Sequence, residues 1–152
     1  INNAGINVIN KFENIESEDF LNIHHVNTFS PFRISQVVMK NMKENNWGRI
    51  INISSIFGTV GKEYRASYSS SKFGLDGLTV SCAAEMAQHG ILVNTVSPGF
   101  IKTDLTKKVL GEKGMKEIVN SLPIKRLVIL KKLQNLYYGY AAMKTHILVA
   151  KI

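Results

Sequence analysis

Apolar and polar positions follow two periods along this chain, and each change of period marks an element. From residue 20 to residue 42 apolar side chains recur every three or four positions, which predicts one long helix that Pro31 is able to bend. The β-branched run at 49–53 predicts a buried strand, and the run at 91–96 predicts another. Between these strands a second long helical pattern extends from about 68 to 89.

Residue types at the boundaries agree with these elements. Ser17 is placed to cap the first helix, and Asn45-Asn46-Trp47-Gly48 to end it. Gly90 ends the second helix, and Ser97-Pro98-Gly99 forms a turn after the second strand. Two short helical patches are expected after that turn, at residues 104–110 and 115–121.

The order of elements indicates the fold class. Ile1 has the character of the last residue of a strand followed by a turn, so the chain runs strand, helix, strand, helix, strand. This order calls for an α/β fold, with a parallel sheet and helices on its faces.

Composition narrows the class of protein. A chain of 152 residues with 45% hydrophobic residues is ordinary for one globular domain. Neither a membrane-spanning stretch nor a signal-peptide pattern is present in it. The single cysteine, Cys82, excludes an internal disulfide and suits a reducing cytoplasm, which is the expected location. His24 and His25 have no metal-ligand partner at useful spacing, so no metal site is expected.

The net charge of +8 is unevenly distributed. All 11 acidic residues precede residue 128, so the first 127 residues carry +4 and the last 25 carry the other +4 without an acid. The interpretation as a nucleic-acid-binding domain rests on this charge alone. It predicts binding to DNA or RNA that depends steeply on salt concentration. Because half of the excess belongs to the tail, we expect neither nucleic acid nor membrane as a partner.

Three side chains near the middle of the chain have spacings that are compatible with a catalytic site. Tyr68 and Lys72 lie four residues apart, so on a helix they share one face. An ammonium so placed is expected to draw the tyrosine pKa down from about 10. Ser55 follows the first buried strand, at the strand end where open α/β sheets keep their sites.

Five motifs in a fixed order carry a resemblance to a known family. They are Asn2-Asn3-Ala4-Gly5, Asn27 within the first helix, Ser55, Tyr68-x-x-x-Lys72, and Pro98-Gly99-Phe100-Ile101-Lys102-Thr103. One such motif is common by chance, whereas five in order are specific. Residues 1 to about 127 resemble the second half of a short-chain dehydrogenase/reductase. Ser55 stands 13 residues before Tyr68, as in members that reduce 3-oxoacyl thioesters.

The resemblance implies an NAD(P)-dependent oxidoreductase and a role for each catalytic residue. Tyr68 would exchange a proton with the substrate oxygen while the nicotinamide exchanges hydride. Lys72 would lower the tyrosine pKa and bind the nicotinamide ribose. Ser55 would hold the carbonyl oxygen, and Asn27 would hold a water that relays protons to Lys72.

The resemblance also implies a cofactor and partners. The cofactor is NAD or NADP, with NADP favoured by the likeness to reductases, and the substrate is a small-molecule or acyl-thioester carbonyl. Small residues on the second helix resemble the family's dimer surface, so a homo-oligomer is expected. The implied cofactor-binding residues are Asn3 and Gly5 on the adenosine side, Tyr68, Lys72, Pro98 and Gly99, and Ile101 and Thr103 on the carboxamide side.

One family motif is not found in these 152 residues. Relatives carry a Thr-Gly-x-x-x-Gly-x-Gly turn whose amides bind the cofactor pyrophosphate, and no such pattern occurs here. We therefore expect a partial Rossmann-like doubly wound sheet, roughly strands 4 to 6 with the two long helices between them, inactive as a fragment. The alternative is a non-catalytic remnant or pseudogene product.

The resemblance stops at Leu127, within a Pro-x-x-Arg-Leu stretch. Relatives continue with a pattern like Gly-x-Pro-Glu-Glu-Ile-Ala and later Tyr-Ile-x-Gly-Gln, whereas this chain continues VILKKLQNLYYGYAAMKTHILVAKI. We chose one set of synonymous codons for that stretch and placed a G before it. Read in triplets from that G, these codons encode GDPEEIAKSLLWLCSDENSYIGGQN. We therefore interpret 1–127 as the partial domain and 128–152 as an out-of-frame tail.

Overall fold

The computed structural model describes residues 1–102 and 104–142 in two units, Ile1–Ser97 and a second that begins at Pro98. The helical elements of the first unit are α1 (Ser17–His24), a π-helical turn (His25–Phe29), α2 (Ser30–Glu44) and α3 (Ala66–Met86). Its strands are β1 (Gly48–Ile53) and β2 (Ile91–Val96), and short 3-10 turns lie at Phe12–Asn14, Ile56–Gly58 and Ala87–His89. The second unit has β3 (Ile101–Lys102), α4 (Asp104–Ser121), β4 (Val128–Ile129) and α5 (Leu130–Ala142).

Parallel pairing organises the first unit. Strands β1 and β2 pair in parallel over their full length, beginning with Gly48 opposite Ile91. The start of the chain continues the pairing, because the Asn2 N–H donates to the Ile51 carbonyl at 2.8 Å and the Ile53 N–H donates to the Asn2 carbonyl at 2.9 Å. The predicted α/β fold with parallel pairing is confirmed.

The core of this unit lies where β1 and β2 meet the helices. Ile50, Met86, Ile91 and Val93 form a buried cluster, with Met39 among the half-buried side chains packed against it. Fully burying each such side chain contributes about 1.5–3 kcal/mol. Because β1 is buried on most of its length, its β-branched run follows from the rule for strands of parallel sheets.

The first long helical stretch contains an irregular turn that the sequence pattern did not predict. Residues 17–44 are helical throughout, but His25–Phe29 form a π-helical turn between α1 and α2. The Ser30 N–H bonds to the His25 carbonyl, five residues back, instead of four. Pro31 follows at once and has no N–H to donate, so the irregularity lies just before the proline.

The predicted helix ends are confirmed, while the predicted cap is wrong. Ser17 is the first helical residue, and the preceding Glu16 makes no side-chain cap bond. Asn46 ends the first helical stretch with a left-handed φ of 47°. Gly90 ends the second with a φ of 66°, a conformation that glycine adopts without a Cβ penalty.

The second unit is built around a short parallel pair. Ile101 lies opposite Val128 in β3 and β4. Gly111 has non-helical angles within α4, which separates the two predicted helical segments. Leu127 and Leu133 are buried. Residues 128–142 of the predicted tail thus form a strand and a helix, and its last ten residues lie outside the described part of the chain.

Large apolar side chains on two helices face solvent. Val37 of α2 is 71% exposed and Val80 of α3 is 60% exposed. Ile34 and Phe73 on the same helices are also exposed. An exposed apolar surface on two neighbouring helices is typical of an interaction site.

Replacing Gly90 with alanine tests the turn before β2. A Cβ at Gly90 would overlap the carbonyl oxygen of Asn46, and its positive φ disfavours any L side chain. We expect Gly90→Ala to lower the free energy of unfolding by about 1–3 kcal/mol.

Gly77→Ala is the matched control, because its Cβ would meet nothing within 4 Å on helix α3. It should be neutral or stabilise by about 0.5–1 kcal/mol. Urea denaturation of both variants measures the difference, and equal midpoints would contradict the close approach at Gly90.

Candidate active site

The site begins where β1 ends. The Ser54 N–H donates to the Val96 carbonyl at 2.8 Å and extends the parallel pairing by one residue. Ser55 then caps the 3-10 turn Ile56–Gly58, because its Oγ accepts from the Phe57 N–H at 3.2 Å. Ser55 is 8% exposed, so its hydroxyl is held in a fixed place at the carboxyl end of the strand.

Tyr68 and Lys72 lie in the first turns of α3, on the face that packs against this strand end. The Lys72 Nζ donates to the Ile53 carbonyl at 2.8 Å and lies 5.7 Å from the centre of the Tyr68 ring. The Ser55 side chain lies close enough to the Tyr68 hydroxyl to lower the pKa of Tyr68 by hydrogen bonding. The structure therefore brings Ser55, Tyr68 and Lys72 together, as the sequence predicts.

Burial governs the protonation of both groups. Desolvation lowers the pKa of Lys72 to about 8, against the opposing charge of Asp76. Desolvation also raises the pKa of Tyr68, although the Ser55 hydrogen bond and the charge of Arg65 oppose it.

The direction of the tyrosine shift differs from the sequence prediction. The sequence predicts that Lys72 lowers the pKa of Tyr68, whereas in the structure this pKa is raised. The physical reason is that burial of the Tyr68 hydroxyl disfavours the charged phenolate, and the Ser55 hydrogen bond and the charge of Arg65 offset this only in part.

Asn27 lies in the middle of the π-helical turn and is fully buried. Its Oδ1 accepts from the Ile6 N–H at 2.8 Å, and its Nδ2 donates to the Ile6 carbonyl at 3.0 Å. Nδ2 also donates to Ser71 Oγ at 2.9 Å. The side chain therefore joins the N-terminal loop to α3, and π-helical turns of this kind are frequent at functional sites.

Gly5 lies between these groups. A Cβ there would be 3.5 Å from both Asn27 Oδ1 and Lys72 Nζ, so the loop backbone passes close to both side chains. Asn3 precedes it on the same loop and is exposed. Of the predicted residues, Asn27, Gly5 and Lys72 thus lie together.

The other predicted cofactor residues belong to the second unit. Pro98 is half-buried and Gly99 is exposed, in the stretch before β3. Ile101 is half-buried in β3, opposite Val128. Thr103 lies outside the described residues.

Sequence reasoning missed a buried polar network beneath the site. The Asn2 Nδ2 donates to Asn52 Oδ1 at 2.7 Å, and the Asn52 Nδ2 donates to Thr79 Oγ1 at 2.8 Å. Thr79 Oγ1 donates to the Leu75 carbonyl at 2.7 Å. The signal that could have found it is Asn52, an asparagine inside an otherwise apolar strand.

A second missed residue is Asp76. It is 9% exposed and lies one helical turn beyond Lys72. Its signal in the sequence is the spacing, because Tyr68, Lys72 and Asp76 recur every four residues on one helix face.

Neither a metal cluster nor a membrane-spanning helix occurs among the described residues. They contain no cluster of three or more His, Cys, Asp or Glu side chains that could hold a metal ion. No helix among them is long and apolar enough to cross a membrane. The chemistry that the Ser55, Tyr68 and Lys72 side chains offer is proton exchange at Tyr68, beside a cation and a second hydroxyl.

Comparison with known sequences identifies the family of the chain that carries this site. The family model described as "short chain dehydrogenase" matches residues 1–114. The chain is 43% identical over 112 residues to the 3-oxoacyl-[acyl-carrier-protein] reductase FabG of Vibrio cholerae, covering 74% of this chain and 46% of that protein. It is 40% identical over 127 residues to the acetoacetyl-CoA reductase of Cupriavidus necator, covering 84% and 51%. The chain thus spans about half the length of these curated relatives.

Solved structures agree with the sequence comparison. The structure "ElxO with NADP Bound" matches with a TM-score of 0.90 and 30% identity, over 97% of this chain and 60% of that one. A 4-hydroxyisoleucine dehydrogenase mutant complexed with NADH and succinate matches with a TM-score of 0.90 and 29% identity, over 97% and 62%. With its fold, its ordered motifs and these matches, the chain belongs to the short-chain dehydrogenase family.

Proposed function

We propose that this chain carries the catalytic half of an NAD(P)-dependent oxidoreductase that transfers hydride between a nicotinamide and a carbonyl or secondary alcohol. The observation that carries the proposal is the convergence of Ser55, Tyr68 and Lys72 at the end of β1. A 3-oxoacyl thioester is the proposed substrate, because the two curated relatives are named as reductases of such thioesters.

In the reductive direction, bound NAD(P)H supplies the hydride to the carbonyl carbon. Tyr68 donates its hydroxyl proton to the carbonyl oxygen, and Ser55 holds the same oxygen by a hydrogen bond. The Tyr68 phenolate formed in this step would then take a proton back through Lys72 and the water that Asn27 is proposed to hold. In the oxidative direction the proton moves the other way.

The residues present fit a nicotinamide cofactor at Lys72. An ammonium has three N–H donors, and the Ile53 carbonyl takes one of them. The others are free to bind the hydroxyls of a ribose, which is the role we propose. Gly5 supports the fit, because the absence of a side chain leaves its backbone open to a ligand beside Lys72.

The remaining proposed cofactor residues follow the family pattern. We propose Asn3 and Gly5 for the adenosine side and Ile101 and Thr103 for the carboxamide side. Pro98 and Gly99 are proposed to bind the cofactor as well. We favour NADP over NAD, because the two curated relatives named above are reductases and ElxO has NADP bound. Asn27 is proposed to hold a water near Lys72, since its Oδ1 lies on the same side of Gly5 as the ammonium.

The exposed helices support a proposal for assembly. Val37 on α2 and Val80 on α3 expose large apolar surfaces. Gly74 and Gly77 on α3 are also exposed and allow close approach of another helix. We propose that two copies of the intact domain pair through α2 and α3.

A non-catalytic remnant is the second candidate function. The observation that favours it is that burial raises the pKa of Tyr68, which disfavours the phenolate that the proposed reaction forms. Titration with NADPH or NADH discriminates the two, with fluorescence of Trp47 or a thermal shift as the signal. Saturable binding supports the enzyme, and its absence in this chain supports the remnant.

We also propose that residues 128–152 are an out-of-frame tail on a domain that ends at Leu127. The support comes from the sequence, since the tail is free of acidic residues and synonymous codons can be chosen for it whose one-base-shifted reading matches the family pattern. The short β4 and α5 that it forms would then carry no selected function.

A chimera tests the catalytic assignment. The N-terminal half of the Vibrio cholerae reductase, fused before Ile1, would supply the glycine-rich turn. We expect NADPH-dependent reduction of acetoacetyl-CoA, and we expect Tyr68→Phe to lower kcat by at least ~10²-fold because the proton donor is lost. Loss of NADPH absorbance at 340 nm measures the rate.

Tyr64→Phe is the matched control in the chimera, because Tyr64 is 51% exposed on the preceding turn. Its kcat should equal that of the unsubstituted chimera. An active chimera that keeps its rate after Tyr68→Phe would show that the proton donor has been assigned wrongly.

Reading the genomic DNA across codon 128 tests the tail. One added nucleotide before that codon should open a frame encoding Gly-Asp-Pro-Glu-Glu and, later, Tyr-Ile-Gly-Gly-Gln. The same shift applied to the codons of 100–125 serves as the control and should give no family pattern. Codons for 128–152 that shift to an unrelated sequence would remove the proposal.

A further inference from the structure

The segment that leaves the site after Gly5 has exposed apolar side chains that the proposed reaction does not use. Ile6, Val8 and Ile9 are all exposed, and Ile9 reaches 52%. None of residues 6–10 carries a charge. Exposed apolar side chains that cluster together are typical of a surface that binds another molecule. We call these three side chains the apolar strip.

One end of the apolar strip adjoins the candidate site. The Ile6 N–H donates to Asn27 Oδ1 at 2.8 Å, and Asn27 Nδ2 donates to the Ile6 carbonyl at 3.0 Å. A Cβ at Gly5, the residue before, would lie 3.5 Å from Lys72 Nζ. The strip therefore begins beside the lysine of the site, and its first residue is held there by two hydrogen bonds.

The other end of the apolar strip is fixed to the turn before α3. The Asn10 N–H donates to the backbone carbonyl of Tyr64 at 3.3 Å, on the turn that leads to Tyr68. Tyr64 has a φ of 62°, a strained conformation that persists only where surrounding contacts hold the backbone. The Asn10 side chain holds the following residues, because its Nδ2 donates to the Asn14 carbonyl at 2.6 Å. A segment fixed at both ends loses little conformational entropy when a ligand binds to it.

The size and chemistry of the apolar strip fit a hydrocarbon chain better than a protein partner. The backbone from Ile6 to Asn10 spans at most about 14 Å. A specific protein interface uses roughly 20–30 residues on each side, far more than the strip offers. A hydrocarbon chain needs neither a charge nor a hydrogen bond from its binding surface, and it gains free energy wherever it leaves water.

We propose that the apolar strip binds the hydrocarbon chain of the acyl substrate and makes the intact enzyme selective for longer 3-oxoacyl groups. This inference rests on the proposed function, in which the substrate carbonyl lies at Ser55 and Tyr68. Each methylene group of the substrate strengthens binding by up to about fourfold when it is fully removed from water. An acetoacetyl group has only a methyl group beyond its 3-oxo carbon, so it gains little from the strip.

Binding to the 152-residue chain tests the apolar strip without turnover. The probes are the N-acetylcysteamine thioesters of 3-oxobutanoate and 3-oxooctanoate, which differ only in the length of the hydrocarbon chain. We expect the longer probe to bind about tenfold more tightly, because an open strip covers only part of each added methylene group. It should also shift the backbone amide signals of residues 6–10 in a ¹⁵N NMR titration. Equal dissociation constants, absence of binding, or shifts confined to α2 and α3 would overturn the proposal.

Ile9→Thr removes apolar surface from the strip and keeps a β-branched side chain at an exposed position. It should weaken binding of the longer probe about threefold and leave binding of the shorter probe unchanged. Ile124→Thr is the matched control, because Ile124 is likewise exposed, at 60%, and lies in the second unit. It should change neither dissociation constant, and an equal loss in the two variants would contradict the assignment to the strip.

Turnover by the chimera separates this inference from the proposed function. The ratio of kcat/KM for the longer probe to that for the shorter probe should exceed one and should fall in Ile9→Thr. An inactive chimera would count against the proposed function and leave the binding result intact. An active chimera whose ratio is the same in Ile9→Thr would overturn the role of the strip and leave the catalytic assignment unaffected.

Discussion

The hydrogen bond from the Lys72 ammonium to the Ile53 carbonyl is the interaction on which the site depends. It joins α3 to the last residue of β1 and fixes how the helix meets the strand end. Because Lys72 is buried, loss of this bond would leave a charge without its acceptor, which costs more than an exposed bond contributes. The same contact therefore positions Tyr68 against Ser55 and stabilises the packing that holds them.

A second set of buried polar contacts joins the same helix to the start of the chain and to β1. Asn2, Asn52 and Thr79 bond in sequence, so the first residues of the chain, β1 and α3 are connected by side chains as well as by backbone pairing. Asn27 adds a third connection, from Ile6 to Ser71. The site is thus made of segments distant in sequence that polar groups hold in one arrangement, in which partial loss of a network is costly.

Much of the fold follows from local pattern, because β-branched runs and helical periodicity act over a few residues. The bounds of β1 and β2 and the turn at Gly90 are of this kind, whereas the meeting of Ser55 with Tyr68 was expected from the family resemblance. The π-helical turn was not predicted, since the spacing of apolar residues does not encode one extra residue in a single turn before Pro31. The rise in the Tyr68 pKa was also missed, because desolvation depends on the whole surrounding and not on spacing.

The π-helical turn has a consequence for how this sequence can change. It fits one more residue into a turn than an α-helix does, which rotates the residues before it by about 100° relative to those of α2. Deleting a single residue from His25–Phe29 would restore regular winding and turn Asn27 away from Ile6 and Ser71. Insertions and deletions in this stretch should therefore be far less tolerated than substitutions. The number of residues in the stretch sets which helix face the preceding residues occupy.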